Sequence, residues 1–333
     1  MKSNLNLLFV LILVTGFTGI IWWNGQHNGN INSDAFTDFA VEDTASITKI
    51  IITDINGTAV LDRTGDSRYW TLNGEHKARK SSTDLILKTL NRAKVKAAVP
   101  SAQRPTVLKN LLTAKRVDIY QGSNSPVKTW FVGTATSNHT GTYMLLEIPG
   151  AGRSEEPFVV HMDGFSGFLT TRFFSDVNEW RFTGIFDFPN RSLKSVEVIN
   201  HNEPHETFTL RADTTGELNL FVDEGLEIGY TDTLITRNQF LLFKKVHFES
   251  FNSRLTLVEE IDLKNSHPDY TVTCEGLDGR VARVRIFNLS EEHKYGLTDD
   301  GQVVLVQTYV FDPLLKGLSS LLGLEDQPGE GTP

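Results

Sequence analysis

A pattern that occurs twice constrains the fold of this chain more than any other feature. The segments Ser46-Ile47-Thr48-Lys49-Ile50-Ile51-Ile52 and Ser192-Leu193-Lys194-Ser195-Val196-Glu197-Val198 stand 146 residues apart, and both alternate apolar positions as a strand does. A second strand pattern follows each (59–63 and 207–211), then a third (69–72 and 218–222). Beyond a polar loop each copy carries an apolar-periodic helix, announced by Ser82-Thr83-Asp84 in the first and by Thr231-Asp232-Thr233 in the second. Hairpin patterns come next, Tyr120-Gln121-Gly122 before 127–132 and Cys274-Glu275-Gly276 before 281–286. Toward the ends Phe165 stands against Phe311, again 146 residues apart. The expected fold class is α+β: two tandem, duplicated modules, 44–177 and 188–323, of mainly antiparallel strands with one or two helices each.

Ahead of the modules, residues 1–33 contain Lys2 and no other Lys, Arg, Asp or Glu. Within them Leu5 to Trp23 is a nineteen-residue apolar run, and as a helix it would span roughly 28 Å of hydrocarbon. A cleaved secretory signal needs small residues at a cleavage site. The only candidates, Thr15 to Gly19, lie inside the apolar run and lack an Ala-x-Ala pattern, which favours an uncleaved N-terminal transmembrane helix over 1–23, with a cleaved signal segment as the alternative. Trp22 and Trp23 suit the headgroup interface. Lys2 keeps the short end in the cytoplasm and sends the modules across, tethered by a single pass: to the periplasm, from the inner membrane, in a double-membrane bacterium, or to the outside or a lumen otherwise. Residues 24–38, rich in Asn and Gly, read as a flexible linker, and 325–333 as a disordered tail.

A net charge of −9 without a Lys/Arg block argues against a nucleic-acid partner. The single cysteine, Cys274, excludes an internal disulfide and a cysteine-built metal centre, and without a basic neighbour in sequence it reads as a structural thiol.

The order of the anchor, the start Phe39-Ala40-Val41-Glu42-Asp43-Thr44, the strand Ile47 to Ile52, and Tyr69-Trp70-Thr71-Leu72-Asn73-Gly74 resembles a bacterial family defined only as a domain of unknown function. So do Gly141-Thr142-Tyr143-Met144-Leu145, Phe158-Val159-Val160-His161 and Arg172-Phe173-Phe174-Ser175-Asp176 with Trp180-Arg181. The resemblance covers the chain from the anchor to about Trp180 and the second copy more loosely. It implies a membrane-anchored envelope protein, with relatives in or beside auxiliary subunits of gliding-motility-type ABC transporters, and hence an envelope protein partner. It carries over no catalytic residues.

The candidate chemistry is sparse. His201-Asn202-Glu203-Pro204-His205 groups two imidazoles and a carboxylate, suited to zinc or copper, but Pro204 sits between two strand patterns, where a solvated turn is expected. His161 and Asp163 could orient an imidazole, although strand alternation turns His161 to the side of Val159. There is no Gly-x-Ser-x-Gly elbow, no phosphate loop ahead of a helix and no cofactor motif. The aromatic stretch Phe165, Phe168, Phe173, Phe174, Trp180, Phe182, Phe186 and Phe188 is expected to build a core between the modules, or to leave Phe165, Phe168, Phe173, Phe174 and Trp180 as an interaction surface. The function expected is a non-enzymatic scaffold or binding component of a cell-envelope complex. The alternatives are an envelope hydrolase working through His161/Asp163 or His201/Glu203/His205, and a small-molecule or peptide binder using a cleft between the modules.

Overall fold

A computed structural model describes residues 36–63, 68–189, 192–222, 225–229 and 233–324. The segment 1–23 with Trp22 and Trp23, the linker up to residue 35 and the tail 325–333 lie outside the described residues. Among those described, no helix is long and apolar enough to cross a membrane. The chain forms two compact units that meet in sequence between Phe182 and Thr183.

The first unit contains β1 (Lys49–Asp54), β2 (Gly57–Asp62), β3 (Thr71–Leu72), β4 (His76–Lys77), α1 (Lys80–Arg92), β5 (Ala93–Ala98), α2 (Arg104–Leu111), β6 (Lys115–Tyr120), β7 (Lys128–Ala135), β8 (Thr142–Ile148), β9 (Gly152–Arg153) and β10 (Phe158–Met162). The strands form one antiparallel sheet in the order β4-β3-β2-β1-β6-β7-β8-β10-β5, with β9 beside β8. Register follows the sequence alternation. Ile50 lies opposite Leu61 and Ile119, and Ile52 opposite Ala59 and Val117, so all six share one buried face. The α1 helix covers this face with Ile86 and Leu90, joined by Phe39, Phe173 and Trp180. The α2 helix covers the other face, where Val107 and Leu111 pack on Phe131 and Leu145.

Strand β7 is therefore buried on both sides. Trp130 and Val132 enter the α1 core while Phe131 enters the α2 core, which explains why three large apolar residues stand consecutively at the middle of this strand. Trp130 meets Phe39 and Phe173 edge to face, at centroid distances of 5.8 and 6.1 Å. Among the described residues its buried indole Nε1 has no hydrogen-bond partner.

The start of α1 differs from expectation. The helix begins at Lys80 behind Arg79, which offers no side-chain cap. Arg79 N–H instead donates to the Trp180 carbonyl at 2.6 Å, so a tertiary contact aims the chain into the helix. Ser82, Thr83 and Asp84 thus fall inside the first turns, where Thr83 donates to the Lys80 carbonyl and Asp84 pairs with Lys80.

The second unit contains β11 (Gly184–Asp187), β12 (Leu193–Asn200), β13 (Phe208–Ala212), β14 (Leu218–Val222), β15 (Leu226–Ile228), α3 (Thr233–Leu242), β16 (Lys245–His247), β17 (Ser250–Phe251), α4 (Leu257–Asn265), β18 (Tyr270–Gly276), β19 (Val281–Asn288), β20 (His293–Thr298), β21 (Val303–Gln307), α5 (Thr308–Phe311) and α6 (Leu318–Leu321). Its main sheet runs β15-β14-β13-β12-β18-β19-β20-β21-β17, which matches the first sheet position by position. In both, four strands step outward from the centre, one helix crosses to the far edge, a second helix returns, and four strands step outward again. The units differ at that far edge: β16 leaves the main sheet to pair with β11. They differ also over the second face, where α4 is capped by a Thr256/Glu259 box but buries no residue of its own.

The aromatic run 165–188 does not form one group. Phe173, Phe174 and Trp180 pack in the first unit's core, and Phe186 and Phe188 in that of the second. Truncating Trp130 to Ala should cost about 3–5 kcal/mol, read as a lower urea midpoint for the first unit. Trp130→Phe should cost clearly less, because it also removes an unmade buried hydrogen bond.

Candidate functional site

The α2 helix sits on the sheet with two stripes of different character. Val107 and Leu111, four residues apart, face the sheet and are buried. Gln103, Thr106 and Asn110, spaced by three and four, form the adjoining polar stripe. Between this stripe and strands β7 and β8 lies a cavity of about 350 Å³, closed on the strand side by Gly133, Thr134 and Tyr143. Gly133 is required by the close approach of the helix, since a Cβ there would stand 2.7 Å from Leu111 Cδ2 and 3.0 Å from the Tyr143 carbonyl. Pro105 in the first turn and the Arg104 Nε bond to the Val99 carbonyl, 3.0 Å, fix the helix start. The lining offers amide and hydroxyl groups beside apolar surface and contains no Asp, Glu, His, Lys, Arg or Cys. Such a lining suits a neutral polar ligand.

The side chains singled out from the sequence fall elsewhere. His201 follows β12, and its Nε2 lies 2.9 Å from Thr271 Oγ1 while its ring meets His267 at 5.1 Å. Asn202 donates to Asp269 at 2.9 Å. Pro204 to Glu206 make a 3-10 turn, His205 is exposed, and Glu203 is tied through its backbone to Asn200. Glu206, outside the motif, accepts from Ser319 N and Oγ at 2.9 and 3.0 Å, pinning the turn to α6. Among the described residues, no group of three or more His, Cys, Asp or Glu is placed to hold a metal ion.

His161 stands half-buried on β10, 3.8 Å from Asp163, whose carboxylate is taken up by Lys94. That ion pair holds Asp163 below the usual carboxylate range, as a surface charge. The one buried carboxylate among the described residues, Asp118, receives Arg116 Nε at both oxygens and Thr129 Oγ1 at 2.6 Å. Cys274 is fully buried in β18, and burial pushes its thiol well up, which keeps it protonated.

Of the five aromatics expected at a surface, Phe173 and Trp180 are buried and supply none. Phe174 and Phe168 are half-buried, against Trp180 and the His139 ring respectively. Phe165 alone is exposed to a sizeable extent, at 36%. The polar stripe of α2 went unread in the sequence. Its signal is the spacing of Gln103, Thr106 and Asn110, which becomes meaningful only once the opposing strands are known.

No family model, curated protein or solved structure matches the chain.

Burial and the neighbouring His267 pull the pKa of His201 below its ordinary value of 6.5, against the opposing pull of Asp269. A folded-state pKa below the unfolded one favours the neutral ring in the fold. The resulting stability is present above pH 6.5 and is lost as pH falls through and below that value. Thermal unfolding at pH 7.5 and 5.5 should therefore show a smaller loss of Tm on acidification for His201→Gln than for the wild type.

Proposed function

We propose that the chain is a membrane-tethered, extracytoplasmic binding component of a bacterial cell-envelope complex, with recognition rather than catalysis as its activity. The observation that carries this reading is the α2 cavity: a built recess whose lining combines amide, hydroxyl and phenol groups with apolar surface and holds no carboxylate, imidazole, amine or thiol. The apolar run from Leu5 to Trp23 supports a single-pass anchor with a cytoplasmic N-terminus, and the Asn/Gly-rich composition of 24–35 supports a tether that ends where Phe36 packs on the first core and Asp38 pairs with Lys128. The resemblance of the quoted motifs to a membrane-anchored envelope family, although no family model matches the chain, would imply the same compartment and a neighbouring transport complex.

The matching strand orders, with the 146-residue spacing at both ends of the sequence pattern, support a duplicated module. In this reading the two copies have diverged. The first has a recess beneath its second helix, and the second carries on the equivalent helix the exposed Leu257, Val258 and Ile261.

Alkaline phosphatase fused behind residue 324 should be active in cells, and a fusion before Leu5 inactive; the reverse pattern would remove the envelope reading. For recognition, a photo-crosslinking amino acid replacing Asn110 in the full-length protein should capture a discrete envelope component. The same group at Ile55, which is 95% exposed, should capture none. Equal capture at both positions, or none at Asn110, would contradict the α2 recess as the recognition site.

A further inference from the structure

Opposite the α2 recess, on the α1 side of the first sheet, the fold buries a cation that has no carboxylate partner among the described residues. Arg172, in the short turn after β10, is 8% exposed. Its Nη1 donates to Thr89 Oγ1 at 2.8 Å and lies 3.3 Å from Met162 Sδ. The Phe165 ring covers one face of the guanidinium at 4.0 Å. Burial pulls the pKa of Arg172 down, with no acidic group opposing it. Among the described residues Nε and Nη2 have no hydrogen-bond partner, and neither is sealed from solvent. This free edge is the planar pair of donors that receives a carboxylate through two parallel bonds.

Packing alone does not require a charge here, as the second unit demonstrates. The helices α1 and α3 bury corresponding positions, Ile86, Thr89 and Leu90 in one and Thr236, Gln239 and Phe240 in the other. Gln239 Nε2 donates to the carbonyls of Pro313 and Leu314 at 3.0 and 3.2 Å, tying α3 to the segment beyond the last sheet strand. The Thr89–Arg172 bond makes the same tie in the first unit. A neutral amide thus performs the structural task, while Arg172 adds a desolvated charge and an unused pair of donors.

The surrounding loop is shaped around this group. Gly164 turns the chain at φ +75°, and a Cβ on Gly167 would come within 2.9 Å of Phe165 Cζ, so Gly167 leaves room for the ring that lies over the guanidinium. At the rim of the same loop, Asp163 is the acidic partner of Lys94, with His161 and Arg92 also acting on it. Two cations, Lys94 and Arg92, against one carboxylate favour approach of an anion to this part of a chain whose net charge is −9.

We infer that Arg172 is a ligand-binding residue, whose Nε and Nη2 receive the carboxylate of a small or peptidic ligand entering in the guanidinium plane beside Phe165. Carboxylate is favoured over phosphate because the aromatic ring closes one face of the fork. A planar group fits alongside it, whereas a tetrahedral one directs an oxygen at the ring. The site is separate from the α2 recess and does not rest on what occupies that recess.

The test follows the Arg172 side-chain Nε–H resonance of the full-length, detergent-solubilised protein during titration with sodium acetate, inorganic phosphate and sodium chloride at constant ionic strength. Acetate should shift it saturably, phosphate at least 10-fold more weakly, and chloride not at all. Arg172→Lys, followed by calorimetric titration with acetate, should weaken binding at least 10-fold. Phe165→Ala, which leaves the guanidinium in place, should bring phosphate within about 3-fold of acetate. A resonance that acetate leaves unmoved, or moves no more than chloride does, overturns the site. Tighter binding of phosphate than of acetate overturns the assignment to carboxylates. Because the wild-type resonance and Phe165→Ala both report on the site, the test stands even if Arg172→Lys fails to fold.

Discussion

The sheet of each unit must be covered on two faces, and this requirement organises nearly everything else in the structure. In the first unit it falls most heavily on β7, where Trp130 and Val132 point into one core and Phe131 into the other. An antiparallel sheet covered on one side would leave Phe131 and Leu145 in water. The chain avoids this by sending its two helices to opposite faces: α1 on its way to the far edge, α2 on its way back to the centre. The aromatic contacts of Trp130, the glycine at position 133 and the lock of Arg172 on Thr89 all follow from that arrangement.

The second unit solves the same problem with different side chains, and the differences are informative. Its inner core is as extensive, but its second helix rests on Phe287, Tyr295 and Leu305 through the partly buried Leu263, joined by Leu255 just ahead of the helix. Where the first unit ties its first helix through Thr89 to a buried arginine, the second ties its own through Gln239 to backbone carbonyls. Where the first leaves β5 at the sheet edge, the second diverts β16 to pair with β11. One plan therefore supports two sets of exposed chemistry. The groups argued to bind ligands, the α2 stripe and Arg172, both belong to the first unit.

Much of this plan was legible in the sequence. The alternation of Ile50 and Ile52, and of Val196 and Val198, gives the central strands and their buried face. The turn at Pro204 separates β12 from β13 as its composition suggests. Helix onset was less legible, because Ser82-Thr83-Asp84 has the chemistry of a cap while the actual entry depends on a carbonyl contributed by Trp180, a hundred residues away in sequence. The aromatic run from Phe165 to Phe188 looked like one cluster because adjacency in sequence carries no information about which of two cores a side chain enters. Arg172 stood in plain view within an aromatic stretch. Its burial and its free donors are tertiary facts, set by Thr89 and Phe165.

Native-state hydrogen exchange on the full-length protein tests the two-faced organisation most directly. The slowest amides should lie in the doubly covered strands, at Trp130–Val132 and Met144–Leu146 in the first unit and at Tyr295–Leu297 and Val303–Val306 in the second. Helix α4, with no buried residue, should exchange fastest among the longer helices. Slowest exchange in β1 and β12, with β7 and β21 no better protected than α4, would contradict a fold built around strands buried on both sides.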